Sequence, residues 1–264
     1  MKKGLKKSRV KVIIALAVSF FFFGINYSPA NDFWEVEKSK HFIVHYRGDL
    51  KSGYIEKVVR RAEYYYDYIT DYLGYRRFNF WTWDNRCRIY LYKDAQEYIN
   101  STGSVGWSRA HVNIREKEIN TYINQENFFD TILPHEMGHI IFREFVGFRT
   151  QLPLCLDEGV ACAQEKDNSS RIELAKAMVK WQAYIPFENL FKTDKASLTI
   201  PVIFYSESAS MLNFLLDGFG RQRFIRFCRR VRDGEAWKKA LFWVYKFNSL
   251  DDFEKKWLEY LKND

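Results

Sequence analysis

Two periods of hydrophobic residues run through the first half of the chain, and one through the second. "KHFIVHYRGD", from Lys40, alternates apolar and polar in the manner of a strand. "YIEKVVRRAEYYYDYITDYLGY", from Tyr54, repeats apolar positions at helical spacing until Gly74 stops it. "CRIYLYK" from Cys87 predicts a second strand, and "AQEYINSTG" from Ala95 a short helix closed by Gly103. "HVNI" and "INTYI" flank the charged turn "REKE" and predict a hairpin. A helix is expected from about Phe128 to Phe145, with Pro134 inside it or at its functional start. An interior proline removes a hydrogen bond and bends the rod, so two shorter helices meeting there would also fit. "LPLCLDEGVACAQEKD" then leads through a loop into another helix, with Glu158 in its first turn or two. From Arg171 onward only helical patterns follow, divided by glycines and turns. The expected fold class is α+β, a mixed sheet with helices followed by an all-helical C-terminal part.

The N-terminus carries a different pattern. A basic stretch, "MKKGLKKSRVK", precedes the apolar run Val12–Ile25, and small Ser28 and Ala30 follow at plausible −3 and −1 cleavage positions. This is the layout of an export signal. The run is shorter than the roughly 20 residues a spanning helix needs, so a signal over residues 1–30 is expected rather than a stable membrane span. An uncleaved anchor is the second possibility. The mature part divides into a sheet-bearing subdomain, 31–168, and a helical subdomain, 169–264.

That segment also explains the charge. The chain is +8 overall, but Lys2, Lys3, Lys6, Lys7, Arg9 and Lys11 lie in the first thirty residues, which hold no acid. The remainder is near +2. No electrostatic footprint for nucleic acid or anionic lipid is expected of the body. Cys87, Cys155, Cys162 and Cys228 all lie in the exported part and would permit two disulfides. If Cys155 and Cys162 share a helix, their Cα atoms stand about 10 Å apart, too far to pair. Buried free thiols are the alternative.

The candidate chemistry lies in "LPHEMGHIIF", where His135, Glu136 and His139 form H-E-x-x-H. Residues four apart share a helix face, so His135 and His139 can turn imidazole nitrogens toward one ion. Glu136, rotated by about 100°, stands beside that ion, where it can accept a proton from an activated water. Glu158, nineteen residues after His139, is the best third ligand: the first helix has room to end and the chain to return. Gly159 and Ala161 leave little bulk between the two helices.

This arrangement resembles the gluzincin metallopeptidases. "FIVHY", "IYLY", "HEMGH", "LCLDEGVA", "YSESASMLNFLLDGFG" and "DGEAWKKAL" occur in an order similar to that of the peptidase MA-like proteins. The resemblance implies a zincin-like fold with a cleft between the two subdomains. It also implies one Zn2+ per chain on His135, His139 and Glu158, with Glu136 as general base. It further implies an oxyanion donor at Tyr205, at the start of the helix after the site, and an edge strand near Gly106–Ile114 that aligns a substrate backbone. Cys155 stands where that family usually has an aromatic residue. His111 is expected to be a surface or satisfied residue, and the next donor if Tyr205 is not one; His41 and His45 are expected to be structural. The aromatic runs "EYYYDY" and "FNFWTW" are expected to serve packing. The expected function is an exported zinc peptidase acting on a peptide or protein substrate, with no nucleic-acid partner. The alternative is a non-catalytic metal-containing module that binds envelope peptides or partners, and retention of Glu136 favours the enzyme.

Overall fold

The computed structural model describes residues 33–48, 52–75, 79, 81–104 and 110–263. Residues 1–30, where an export signal is expected, and Gly106 lie outside these residues. Five strands form one mixed sheet: β1 (Trp34–Lys38), β2 (Phe42–Arg47), β3 (Cys87–Tyr92), β4 (Ala110–Asn113) and β5 (Glu118–Tyr122), in the order β1-β2-β3-β5-β4. β2, β3 and β5 run parallel at the centre, and antiparallel β1 and β4 close the two edges. Register sets the faces. Phe42 lies opposite Cys87, Val44 opposite Ile89, and Ile89 opposite Ile119, so all five side chains point the same way, and all are fully buried. Polar and aromatic residues fill the other face, where Arg88 Nε donates to Glu118 at 3.0 Å and Trp34 meets Tyr90 edge-on. His45 stacks on Tyr90 there, while His41 is buried with Nδ1 2.6 Å from Glu63.

The helices are α1 (Ser52–Tyr72), α2 (Ala95–Thr102), α3 (Leu133–Val146), α4 (Leu154–Cys162), α5 (Asn168–Lys180), α6 (Phe187–Leu190), α7 (Pro201–Asp217), α8 (Arg221–Arg232), α9 (Trp237–Tyr245) and α10 (Leu250–Asn263). α1 buries Ile55, Val58, Ala62, Tyr65, Tyr66 and Ile69, the stripe that helical spacing demands, and Leu73 just after it continues the stripe. "EYYYDY" is thus divided: Tyr65 and Tyr66 enter the core, while Tyr64 and Tyr68 stay exposed. In the second run Trp81 is fully buried and Trp83 is exposed. α7 packs on α4 and α5, joining the sheet-bearing half to the helical half through one continuous core.

Several boundaries differ from expectation. β1 carries almost wholly exposed side chains, so no alternation of hydrophobicity announces it. The connection before α7 contains α6, too short to leave a periodic signal. α7 begins at Pro201, with proline in its first turn where its missing N–H costs nothing. Tyr205 is therefore in the second turn, not at the start of that helix. The four cysteines are buried free thiols, and Cys155 and Cys162 do share α4. No helix of the described residues is long and apolar enough to cross a membrane.

One buried acid lies apart from H-E-x-x-H. Both Glu207 oxygens accept from the Ile185 N–H at 3.1 Å, and Glu254 from α10 clips the same turn at Tyr184 and Phe187. Burial pushes the Glu207 carboxyl up to about 8; the Ile185 N–H opposes this shift and the nearby Glu254 adds to it. A glutamate in the unfolded chain titrates near 4.3. The folded chain therefore holds this proton more tightly, and the associated stability is complete below about pH 4 and lost as pH rises through about 8. Replacing Glu207 by Gln should raise the melting temperature relative to the parent increasingly between pH 5 and 9, by roughly 5 °C or more at the alkaline end. A difference that stays constant with pH would contradict this.

Candidate metal centre

Pro134 organises the approach to the site. Having no N–H, it leaves the Asp130 carbonyl without its helical partner. The chain before it widens into a single π turn, Phe128–Ile132, and α3 proper starts at Leu133. The Phe128–Phe145 helix expected from sequence is thus divided one residue before the proline. The freed Asp130 carbonyl accepts instead from the Lys166 N–H at 2.8 Å, and Lys166 Nζ reaches the Asp130 carboxylate at 2.9 Å. These bonds hold the segment after α4 beside the first turn of α3.

Two glycines set the helix spacing. A Cβ on Gly138 would stand 3.1 Å from Ala161 Cα in α4, and one on Gly159 would stand 2.5 Å from the Ser208 carbonyl oxygen in α7. α4 is therefore pressed between α3 and α7 at near-backbone contact. That places Glu158, in the second turn of α4, opposite the first two turns of α3.

Glu158 Oε2 lies 3.5 Å from His135 Nε2 and 3.4 Å from His139 Nε2. These separations exceed the 2.7–3.2 Å of an ordinary N–H···O bond. They match the roughly 3.3 Å edge of a tetrahedron whose centre is 2.0–2.1 Å from each corner, which is the size of a zinc site. His139 and Glu158 are buried and His135 is partly buried, with 20% of its side chain exposed.

The far sides of both imidazoles face carboxylates. His135 Nδ1 is 2.8 Å from Glu165 Oε1, and Arg171 donates to both Glu165 oxygens at 2.7–3.0 Å. His139 Nδ1 faces Asp157 Oδ1 at 3.5 Å, and neither atom has a hydrogen-bond partner among the described residues. Arg143 holds the other Asp157 oxygen at 2.9 and 3.1 Å, and its Nη1 ties the Thr150 carbonyl at 2.8 Å. Such partners fix which ring nitrogen carries the proton and leave Nε2 free to ligate.

The electrostatics favour a cation. Burial opposes charging His135, yet its contacts with Cys162, Glu158 and Glu165 hold the imidazole well above its ordinary value. Burial likewise opposes charging His139, and Asp157 and Glu158 outweigh it, pushing this ring up to about 9. Glu158 is held far below the usual carboxylate range by the two imidazoles, despite a burial that works the other way. A cluster that binds protons this firmly against desolvation offers the same field to a divalent ion.

A second group shares His135. Its Nδ1, Cys162 Sγ and a Glu165 oxygen lie within 4.8 Å of one another. Here Arg171 already occupies both Glu165 oxygens, and its positive charge opposes a cation. This side serves as support for the imidazole.

Glu136, the neighbour of His135 on α3, is half-buried, and its carboxylate makes no hydrogen bond or ion pair among the described residues. Tyr205 is half-buried on α7. Burial raises its phenol, as do the charges of Glu158 and Cys162, while His135 and Arg171 oppose them, so the hydroxyl lies within the field of the cluster. His111 lies exposed on β4, an edge strand, where it pairs in register with Asn120 of β5. Asp157, Glu165, Arg143 and Arg171 carry no role in the sequence analysis. Asp157 could have been noticed as the acid next to Glu158, Glu165 as the acid two helical turns on, and Arg143 as the residue one turn beyond His139.

Residues 85–263 match the Peptidase MA superfamily. The match takes in β3, the whole His135, His139 and Glu158 cluster, and every helix from α2 to α10. No curated protein matches the chain. A five-stranded mixed sheet joined to a mainly helical body suits a peptidase-like fold of this kind, and the match covers well over half the sequence. The chain belongs to the Peptidase MA superfamily.

Proposed function

We propose that the protein is an exported zinc-dependent peptidase of the gluzincin type, with His135, His139 and Glu158 as ligands. The observation that carries this reading is the convergence of His135 Nε2 and His139 Nε2 on one Glu158 oxygen, at separations suited to a tetrahedral ion. When bound, zinc would supply Lewis-acid polarisation of the scissile carbonyl and acidify a water. Every other part of the chemistry belongs to the chain itself.

Glu136 is the residue that moves the proton. Its carboxylate has no competing partner among the described residues, so an oxygen is available to accept a proton from the attacking water and deliver it to the leaving amide nitrogen. Tyr205 donates its phenolic proton in a hydrogen bond to the carbonyl oxygen as negative charge develops there. That phenol is raised above its ordinary value, so it remains a donor across the neutral range. Edge strand β4 offers a backbone beside which an extended peptide can lie. Export rests on the basic, apolar and small-residue succession of the first thirty residues. The paired arginines have an energetic part too. Asp157 and Glu165 support the imidazoles as carboxylates, and Arg143 and Arg171 offset the cost of burying that charge.

Glu136→Gln should retain zinc and fold but lose nearly all peptide hydrolysis, because an amide cannot accept the proton. Tyr205→Phe should lower kcat by about 100-fold with little change in KM. Parental turnover by Glu136→Gln would remove the general-base assignment, and zinc binding without hydrolysis by the parent would favour the peptide-binding alternative.

Replacing Glu165 by Gln should weaken zinc affinity about 10- to 100-fold while the melting temperature of the metal-free protein moves far less than for a core substitution. Competition with a chromogenic chelator measures it. Unchanged affinity would make the Glu165 contact incidental.

A further inference from the structure

A cavity of about 1050 Å³ opens where the loop between α3 and α4, residues 147–153, meets the turn after β4 and the segment joining α8 to α9. It begins at Val146, seven residues beyond His139 and so about 10 Å further along α3. None of His135, His139, Glu158 or Tyr205 lines it.

Its lining combines two chemistries. Arg115, Arg149 and Arg232 approach it from three separate segments, and all are exposed. Arg115 and Arg149 have no ion pair among the described residues. Among the described residues the ion pair of Arg232 is with its exposed neighbour Asp233, a surface contact of little energetic weight, and its guanidinium lies 5.7 Å over the Phe145 ring. The one acid in the lining, Glu235, is already engaged by Arg230. The uncompensated charge is therefore positive. The walls between the arginines are apolar: Phe191 stacks flat on Trp237 at 5.0 Å, and Phe148 is 36% exposed.

We propose that this cavity is a docking site for an acidic peptide segment, one carrying carboxylates close to bulky apolar side chains. Guanidinium forks bind carboxylates in bidentate fashion, and the Phe191–Trp237 wall takes the apolar groups. The volume is at the upper end of small-molecule pockets, roughly 300–1000 Å³, so it suits several residues and greatly exceeds a single anion. Its concavity fits a chain and not a flat lipid surface. Three arginines on a body of net charge near +2 do not make the extended basic stripe that nucleic acid requires. The site needs no metal, so it stands independently of the peptidase reading.

Fluorescence anisotropy on the purified protein tests this with a labelled, capped peptide Phe-Glu-Leu-Glu-Phe and its counterpart with both Glu replaced by Gln. The Glu peptide should bind at least tenfold more tightly. The double variant Arg115→Ser, Arg149→Ser should lose at least tenfold in affinity for it with an unchanged melting temperature. Treatment with a chelator should leave the affinity intact. Any of four results overturns the proposal: no binding by the parent, equal binding of the two peptides, an unaffected double variant, or loss of binding on chelation, which would place the peptide at the His135 cluster. Binding to phosphatidylglycerol vesicles that displaces the peptide would assign the arginines to a membrane surface and overturn it as well.

Discussion

The arrangement of the site depends on how closely α4 can approach α3. Side chains usually hold packed helices 8–10 Å apart. At Gly138 the approach is limited by the backbone of Ala161 and the Gln164 side chain, and at Gly159 by the backbone of Ser208. A Cβ at Gly138 would stand 3.1 Å from its neighbours, so they would have to give way by a few tenths of an ångström, whereas at Gly159 it would meet a backbone carbonyl closer than real contacts allow, and that carbonyl cannot swing aside. Glu158 reaches both imidazoles from the adjacent helix because these two positions are empty. Pro134 adds the second restraint: its missing N–H frees a carbonyl, and the capture of that carbonyl by Lys166 brings Glu165 beside His135.

Placing three carboxylates and two imidazoles in a mostly buried cluster is costly unless the charges are compensated. The structure compensates in two layers. Arg143 and Arg171 neutralise Asp157 and Glu165 on the outer side, and the imidazoles lie between these carboxylates and Glu158. What remains at the centre is a field suited to a cation. The same Arg143 also holds Thr150, in the loop that borders the arginine-lined cavity, so one side chain ties the α3–α4 connection to the support of His139.

Much of this was legible in the sequence, because it rests on local periodicity. His135 and His139 share a face by spacing alone, Glu158 follows at a distance that permits a returning helix, and the β4–β5 hairpin announced itself through its charged turn. The α+β class followed from the change of period along the chain. β1 gave no signal because an edge strand with exposed side chains has no buried face to mark, and α6 gave none because four residues cannot show a helical repeat. The start of α7 was missed because proline, usually a breaker, is tolerated in a first turn. The Arg143–Asp157 and Arg171–Glu165 clamps depend on which helix faces which. Spacing along one chain does not carry that information.

X-ray absorption at the zinc edge, on protein purified without chelators, tests the proposed metal centre most directly. Two imidazole nitrogens and a carboxylate oxygen at about 2.0–2.2 Å are expected, with no sulfur. A protein devoid of zinc would contradict this centre. So would a sulfur ligand near 2.3 Å, which would move the ion to the side of His135 where Cys162 and Glu165 lie.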